Sequence, residues 1–266
     1  QSLFLYGGTG NGKTSIAERI LRIYKDHVLV PYAVEVDGHI VSVFDPVVHR
    51  QIPCSDELLD PRWVLCERPC ITVGGELSAE MLELRLDEST RVFIAPCQMK
   101  ANGGVLIIDD FGRQAISASD LLNRWIVPLE RGVDYLELNS GLKFQAPFRM
   151  TVIFCSEMKP AELGREEFLR RIAARVLVDG AAPEVFDRIF ERVVADQEAE
   201  AEPGAAAFLR ELCLAAAGRL RACFPTDIVR LVKAVSQYER RPVRITRAEL
   251  ERAAETYFAG ACASAD

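Results

Sequence analysis

The chain has 266 residues, 49% of them hydrophobic and 27% charged, with 32 basic against 39 acidic side chains and a net charge of −7. That length buries one large core, or an α/β core with a smaller satellite domain, at the composition of an ordinary globular protein. The acidic balance excludes a chain held to nucleic acid by bulk charge, although a local basic patch would survive it, and no apolar run approaches membrane-spanning length.

The eight cysteines are Cys54, Cys66, Cys70, Cys97, Cys155, Cys213, Cys223 and Cys262. Cys155 sits in an apolar run and Cys213 and Cys223 in helical patterns, which is how reduced thiols are used in a cytoplasmic protein. His49, Cys54, Cys66 and Cys70 form no CxxC pair, so core and loop thiols are expected rather than a zinc site. The chain opens on Gln1 with an apolar run from Ser2, and is expected to be cut from something longer.

Ser2 to Tyr6 is a short apolar run ending at glycines, the pattern of a buried parallel strand. From Lys13 to Lys25 the positions Ile16, Ala17, Ile20, Leu21 and Tyr24 recur at helical spacing. Val28 to Phe44 is rich in β-branched residues and is split by Asp37-Gly38, a hairpin signal. Residues 45 to 75 carry no clean period and are expected to be an irregular surface excursion with, at most, short strands. Leu77 to Leu86 fits helix or strand. Arg91 to Pro96 is a short strand, and Val105 to Ile108 a fully apolar one stopped by Asp109-Asp110. Ser119 to Glu130 reads as a helix, Tyr135 to Phe144 as a hairpin around Ser140-Gly141, and Met150 to Cys155 as a further core strand. Glu166 to Ala174 is a short basic helix and Val176 to Val178 a last strand.

Composition changes at Gly180 to Pro183. An α/β core with a parallel sheet is expected over 1–179 and an all-helical domain over 180–266. The helices fall from about Pro183 and near 205–218, 225–239 and 246–258, the last opened by the capping box Thr246 and Glu249. Between the first two, Asp196 to Glu202 is expected to solvate a loop.

Gly7-Gly8-Thr9-Gly10-Asn11-Gly12-Lys13-Thr14 satisfies the phosphate-loop pattern GxxxxGK[ST], with Ser15 next in the helix. Its glycines let backbone N–H groups turn inward around an anion, and the helix presents its positive end. Lys13 is placed to reach the β and γ phosphates of ATP, and Thr14 to hold Mg²⁺. Val105 to Ile108 delivers Asp109 and Asp110 to the C-terminal edge of a sheet, where open α/β sheets bind ligands. Asp109 then holds Mg²⁺ and Asp110 orients or deprotonates the attacking water.

Together these features resemble the AAA+ superfamily of P-loop ATPases over essentially the whole chain. Ala101-Asn102-Gly103-Gly104 before Asp109-Asp110 looks like the glycine pair of MoxR-like ATPases and bacterial enhancer-binding proteins. The run from Leu121 to Glu130, the hairpin and Pro147-Phe148-Arg149 look like the pre-sensor-1 hairpin of that branch. Phe168-Leu169-Arg170-Arg171-Ile172 is similar to the arginine-finger segment of Clp-type members, with Arg175 as a fallback. The resemblance implies that Arg170 and Arg171 reach the γ-phosphate of a neighbouring subunit, and hence a homo-oligomeric ring, usually of six. Sensor 1 falls at Ser156 or Glu157, where a carboxylate would repel the γ-phosphate unless it turns away or positions water. Sensor 2 falls at Thr226, which reads as an N-cap, with Arg230 one turn on.

The leading expectation is a cytoplasmic ATPase that couples ATP hydrolysis in an oligomer to remodelling of an unidentified macromolecular partner. The alternatives are a nucleotide-dependent switch or scaffold with little hydrolysis, and a DNA-directed motor or regulator, which the charge does not favour. Partner specificity is expected in residues 45–100 or in a segment before Gln1.

Overall fold

β1 (Ser2–Tyr6) carries its buried Phe4 and Leu5 into the middle of a parallel sheet. In the computed structural model the described residues are 1–53, 60–162, 172 and 174–259. They fall into two compact units: residues 1–7 with 13–177, and residues 8–12 with the chain from Val178 onward.

In the first unit β1 is followed by α1 (Lys13–Ile20), which closes in a 3₁₀ turn at Leu21–Ile23. The helix is shorter than the Lys13–Lys25 pattern predicts because tertiary contacts hold Tyr24 extended. Its hydroxyl bonds Thr151 Oγ1 at 3.0 Å, and the Arg68 guanidinium lies 4.9 Å from its ring. β2 (Val28–Pro31), β3 (Ala33–Val36) and β4 (His39–Ser42) come next, then β5 (Trp63–Cys66) and β6 (Cys70–Val73). Asp37 and Gly38 both have positive φ, 50° and 76°, as a tight β3–β4 hairpin requires.

β7 (Arg85–Asp87), β8 (Val92–Ile94), the short α2 (Cys97–Lys100) and β9 (Val105–Ile108) precede α3 (Ala118–Arg131). The Ser117 hydroxyl caps α3 by accepting from Asp120 N, and Gly132 at φ 67° ends it. The hairpin β10 (Val133–Glu137) and β11 (Lys143–Pro147), then β12 (Thr151–Ser156) and β13 (Ala174–Leu177), complete the unit.

The main sheet is five-stranded and parallel, in the order β13-β1-β12-β9-β6. The order places β12 between β1 and β9, so the residues following these three strands share one edge. All four residues of β9 are buried, the signature of a central strand covered on both faces. Trp125 of α3 packs on Phe148 and Phe154 in the core of this sheet. A second core, including Val41, Val64, Phe93, Leu136 and Ala146, joins the smaller β3-β4-β8-β7 and β2-β5 sheets to the β10–β11 hairpin.

Two sequence expectations are corrected here. The short strands allowed within residues 45–75 are β5 and β6, but β6 does not belong to a surface excursion: it is a strand of the main sheet, in parallel register with β9 from Cys70↔Val105 to Val73↔Ile108. Four residues between Pro69 and Gly74 are too few to show a period. The span 77–86 is neither one helix nor one strand, but a 3₁₀ turn at Glu80–Leu82 followed by the start of β7.

The second unit is helical: α4 (Pro183–Asp196), α5 (Ala205–Ala217), α6 (Phe224–Tyr238) and α7 (Arg247–Phe258). Phe186, Leu209, Phe224, Ile228 and Leu250 lie in its core. The acidic stretch does more than solvate a loop. β14 (Glu200–Ala201) pairs in parallel with β15 (Arg244–Ile245). Thr246 Oγ1 accepts from Glu249 N at 3.3 Å, while the Glu249 carboxylate turns to Arg241, so only half of the capping box forms.

Candidate functional site

The loop leaving β1 is anchored at its start, where Gly7 N donates to Ser156 O of β12 at 3.2 Å. Gly10 and Gly12 take φ of 76° and 88°, conformations that side-chain-bearing residues avoid. Lys13 opens α1 and is 8% exposed, with Nζ donating to Gly7 O at 2.9 Å. The Thr14 hydroxyl donates to Asp109 Oδ1 at 2.8 Å, so residues 95 apart in sequence meet at the sheet edge. Ser15 stands on the exposed face of α1, its carbonyl accepting from Arg19.

Asp109 and Asp110 follow β9. Asp109 N donates to Val73 O, and Gln114 Nε2 donates to Asp109 O at 2.7 Å. Asp110 is exposed and takes φ 48°, a left-handed conformation that costs a non-glycine residue roughly 1 kcal/mol. The turn is held from β12: Phe111 N donates to Cys155 O at 2.7 Å, and the buried Ser156 hydroxyl donates to Phe111 O at 2.7 Å. Ser156 Oγ also accepts from Met158 N. The Cys155 thiol is pushed up to about 12 by burial, and secondarily by the charge of Asp109, so it stays protonated behind the site.

Glu157 is ion-paired with Arg113, Nη2 to Oε2 at 2.8 Å. The carboxylate that would repel a γ-phosphate unless it turned away or positioned water is thus ion-paired. Its partner comes from the turn after Asp110, a pairing no sequence pattern announces.

Residues 8–12 pack within the second unit. Asn11 is 8% exposed and its Nδ2 donates to Val178 O at 3.0 Å. Cys223 N donates to Gly10 O at 2.9 Å, and a Cβ on Gly10 would stand 2.5 Å from Cys223 Sγ. Arg219 Nη1 lies 3.5 Å from where a Gly8 Cβ would be, and Arg221 Cδ lies 3.5 Å from the equivalent point on Gly10. Sequence reasoning missed both arginines. The signal available was their position between Gly218 and α6, in a loop rather than at a helical site. Thr226 is not an N-cap, because α6 starts at Phe224 with Cys223 as its cap residue, and Arg230 is exposed on that helix. Arg170 and Arg171 lie outside the described residues, and Arg175 is exposed on β13.

The donor set fits a hard cation. A hydroxyl and a carboxylate oxygen meet at Thr14 and Asp109, and among the described residues no cluster of three or more His, Cys, Asp or Glu could hold a metal. Mg²⁺ suits such a site, since it binds few protein oxygens and completes its shell with phosphate and water. No described helix is long and apolar enough to cross a membrane.

A family model described as a domain of unknown function (DUF8689) matches residues 182–256. No curated protein matches the chain by sequence. Among solved structures, a proline-to-glycine mutant of Thermotoga maritima RuvB superposes with a TM-score of 0.57 at 13% identity, covering 96% of this chain and 62% of that one. The T. maritima RuvB Holliday junction branch migration motor gives 0.55 at 13% identity, with 96% and 61% covered. NtrX from Brucella abortus gives 0.49 at 15% identity, with 78% and 42% covered. The chain thus spans less than two thirds of the RuvB chains it matches. A five-stranded parallel sheet followed by a helical region is the fold that this chain shares with the AAA+ protein RuvB.

Proposed function

We propose that the chain binds Mg-ATP at Gly7–Thr14 and hydrolyses it to ADP and phosphate. The observation that carries this reading is the 2.8 Å bond between Thr14 and Asp109, with Lys13 at the start of the same helix. The loop N–H groups and Lys13 hold the β and γ phosphates, and Thr14 and Asp109 hold Mg²⁺. The metal, when bound, neutralises charge on the phosphate oxygens.

Asp110 accepts a proton from water as the water oxygen attacks the γ-phosphorus and the bond to the β-phosphate oxygen breaks. Arg219 beside Gly8 adds positive charge to the loop. Arg170 and Arg171 complete the site of a neighbouring subunit, so turnover belongs to a homo-oligomer and drives rearrangement of a macromolecular partner.

Titration calorimetry with a non-hydrolysable ATP analogue and phosphate release from Mg-ATP test the two halves separately. Lys13→Ala is expected to weaken binding by about 10- to 100-fold, the worth of hydrogen bonds to a charged group. Asp110→Asn is expected to leave binding intact and slow phosphate release by roughly 10²- to 10⁴-fold. Tight binding with turnover that is low and insensitive to Asp110→Asn would favour a nucleotide switch instead.

A further inference from the structure

A turn at residues 109–112 follows β9 and carries the proposed base, Asp110, at φ 48°. Asp109 accepts a hydrogen bond from Thr14, the last residue of the phosphate loop, so the turn begins one residue from that contact. Gly112 also takes a positive φ, 105°. Glycine holds such a conformation without strain, whereas an aspartate needs neighbours to keep it there.

The Gln114 side chain supplies that restraint. Its Nε2 donates to Asp109 O at 2.7 Å, and its Oε1 accepts from Gly112 N at 2.8 Å. A closed turn of four residues would join that carbonyl and that N–H directly, but here the amide stands between them. Asp109 O can only accept and Gly112 N can only donate, so the bridging side chain must offer a donor and an acceptor together, as a carboxamide does. The glutamine is anchored on either side of its own backbone. Arg113 N donates to Asp110 O at 2.9 Å, and Ala115 N donates to Gly75 O at 2.9 Å. Gln114 thereby holds the peptide group joining Asp109 to Asp110, whose orientation sets φ of Asp110. β12 holds the next peptide group, where Phe111 N donates to Cys155 O.

We propose that Gln114 is a positioning residue for the hydrolysis: its amide fixes the Asp109–Asp110 peptide so that the Asp110 carboxylate stays where it takes a proton from water. The inference rests on the proposal that Asp110 is the base of an Mg-ATP site. No bond is made or broken at Gln114 itself. Its loss displaces Asp110 and leaves Asp109 in place, because Asp109 N donates to Val73 O and the Asp109 carboxylate accepts from Thr14.

The test is phosphate release from Mg-ATP, resolved into kcat and KM, beside calorimetric titration of Mg²⁺ with a non-hydrolysable ATP analogue. The proteins are the wild type, Gln114→Leu, the length-matched Gln114→Met, Asp110→Asn and Gln114→Leu/Asp110→Asn. Loss of the two hydrogen bonds is expected to lower kcat on the order of tenfold in both Gln114 variants, and to change analogue affinity less than about twofold. In the Asp110→Asn background, Gln114→Leu should lower the residual rate no further, since a group that acts through Asp110 then has nothing to position. A merely structural lesion would lower both rates. All five proteins should melt within a few degrees of one another.

An unchanged kcat in both Gln114 variants, or equal losses from Gln114→Leu with and without the Asp110 carboxylate, would overturn the positioning role while leaving the nucleotide site standing. Wild-type turnover that Asp110→Asn does not slow would overturn the base, and the role of Gln114 with it. Wild-type protein that does not bind the analogue would overturn the site itself.

Discussion

At the scale of single residues, the site depends on groups whose neighbours fix their chemistry. Lys13, Thr14 and Asp109 are tied together through backbone and side-chain bonds, and Asp110 is held in a left-handed turn from below by Ser156. Removing the Ser156 hydroxyl in Ser156→Ala should therefore slow phosphate release while barely changing nucleotide affinity. Parallel kinetics and calorimetry check this, and an unchanged rate would show that the turn holds without it. The loop and the Asp109-Asp110 pair were legible in the sequence because glycine spacing and a strand stopped by carboxylates are local patterns. Arg113, Arg219 and Arg221 were not. An arginine's role there depends on which distant residue the fold brings beside it.

At the scale of elements, several local sequence signals correspond to steric requirements. Gly104 is one: a Cβ there would stand 2.0 Å from Pro69 O, across the β6–β9 approach. Gly104→Ala should destabilise the first unit by about 3 kcal/mol, at the upper end of overpacking costs, read as a lower denaturant midpoint. That the strand this glycine admits, β6, joins the main sheet was not readable in the sequence, since an edge strand of four residues has no room for a period.

The loop ahead of β5 is fastened in another way. Lys100 Nζ donates to Asp45 Oδ2 at 2.7 Å, and His49 bonds both Asp45 N and Lys100 O. The hydrogen bond from Lys100 holds the Asp45 carboxyl below its ordinary range. A depressed carboxylate pKa stabilises the fold above the unfolded value of about 3.9, and that stability is lost as pH falls through the folded value. Asp45→Asn should cost about 1–3 kcal/mol near neutrality and progressively less below about pH 4. Urea denaturation at pH 7 and pH 3.5 measures the difference. A gap that does not narrow in acid would contradict the assignment.

At the scale of the whole molecule, the four helices past Gly180 were read nearly to the residue because apolar positions recur at helical spacing between the glycine- and proline-marked breaks. The proposed division of labour between subunits has no such local signature, so it calls for a test that mixes subunits. Asp110→Asn and Arg170→Ala/Arg171→Ala should each be inactive alone. Mixed, they should recover a measurable part of wild-type turnover if an arginine from one chain serves the site of another. No recovery at any ratio would confine the chemistry to a single chain.

The central claim is that the Thr14–Asp109 pair and Asp110 form a working Mg-ATP hydrolysis site. Phosphate release from Mg-ATP, measured for the wild type beside Asp110→Asn, tests it most directly. The account predicts Mg²⁺-dependent turnover that falls at least about a hundredfold in the variant, with nucleotide affinity preserved. Turnover that is absent from the wild type, or equal in the two proteins, would contradict it.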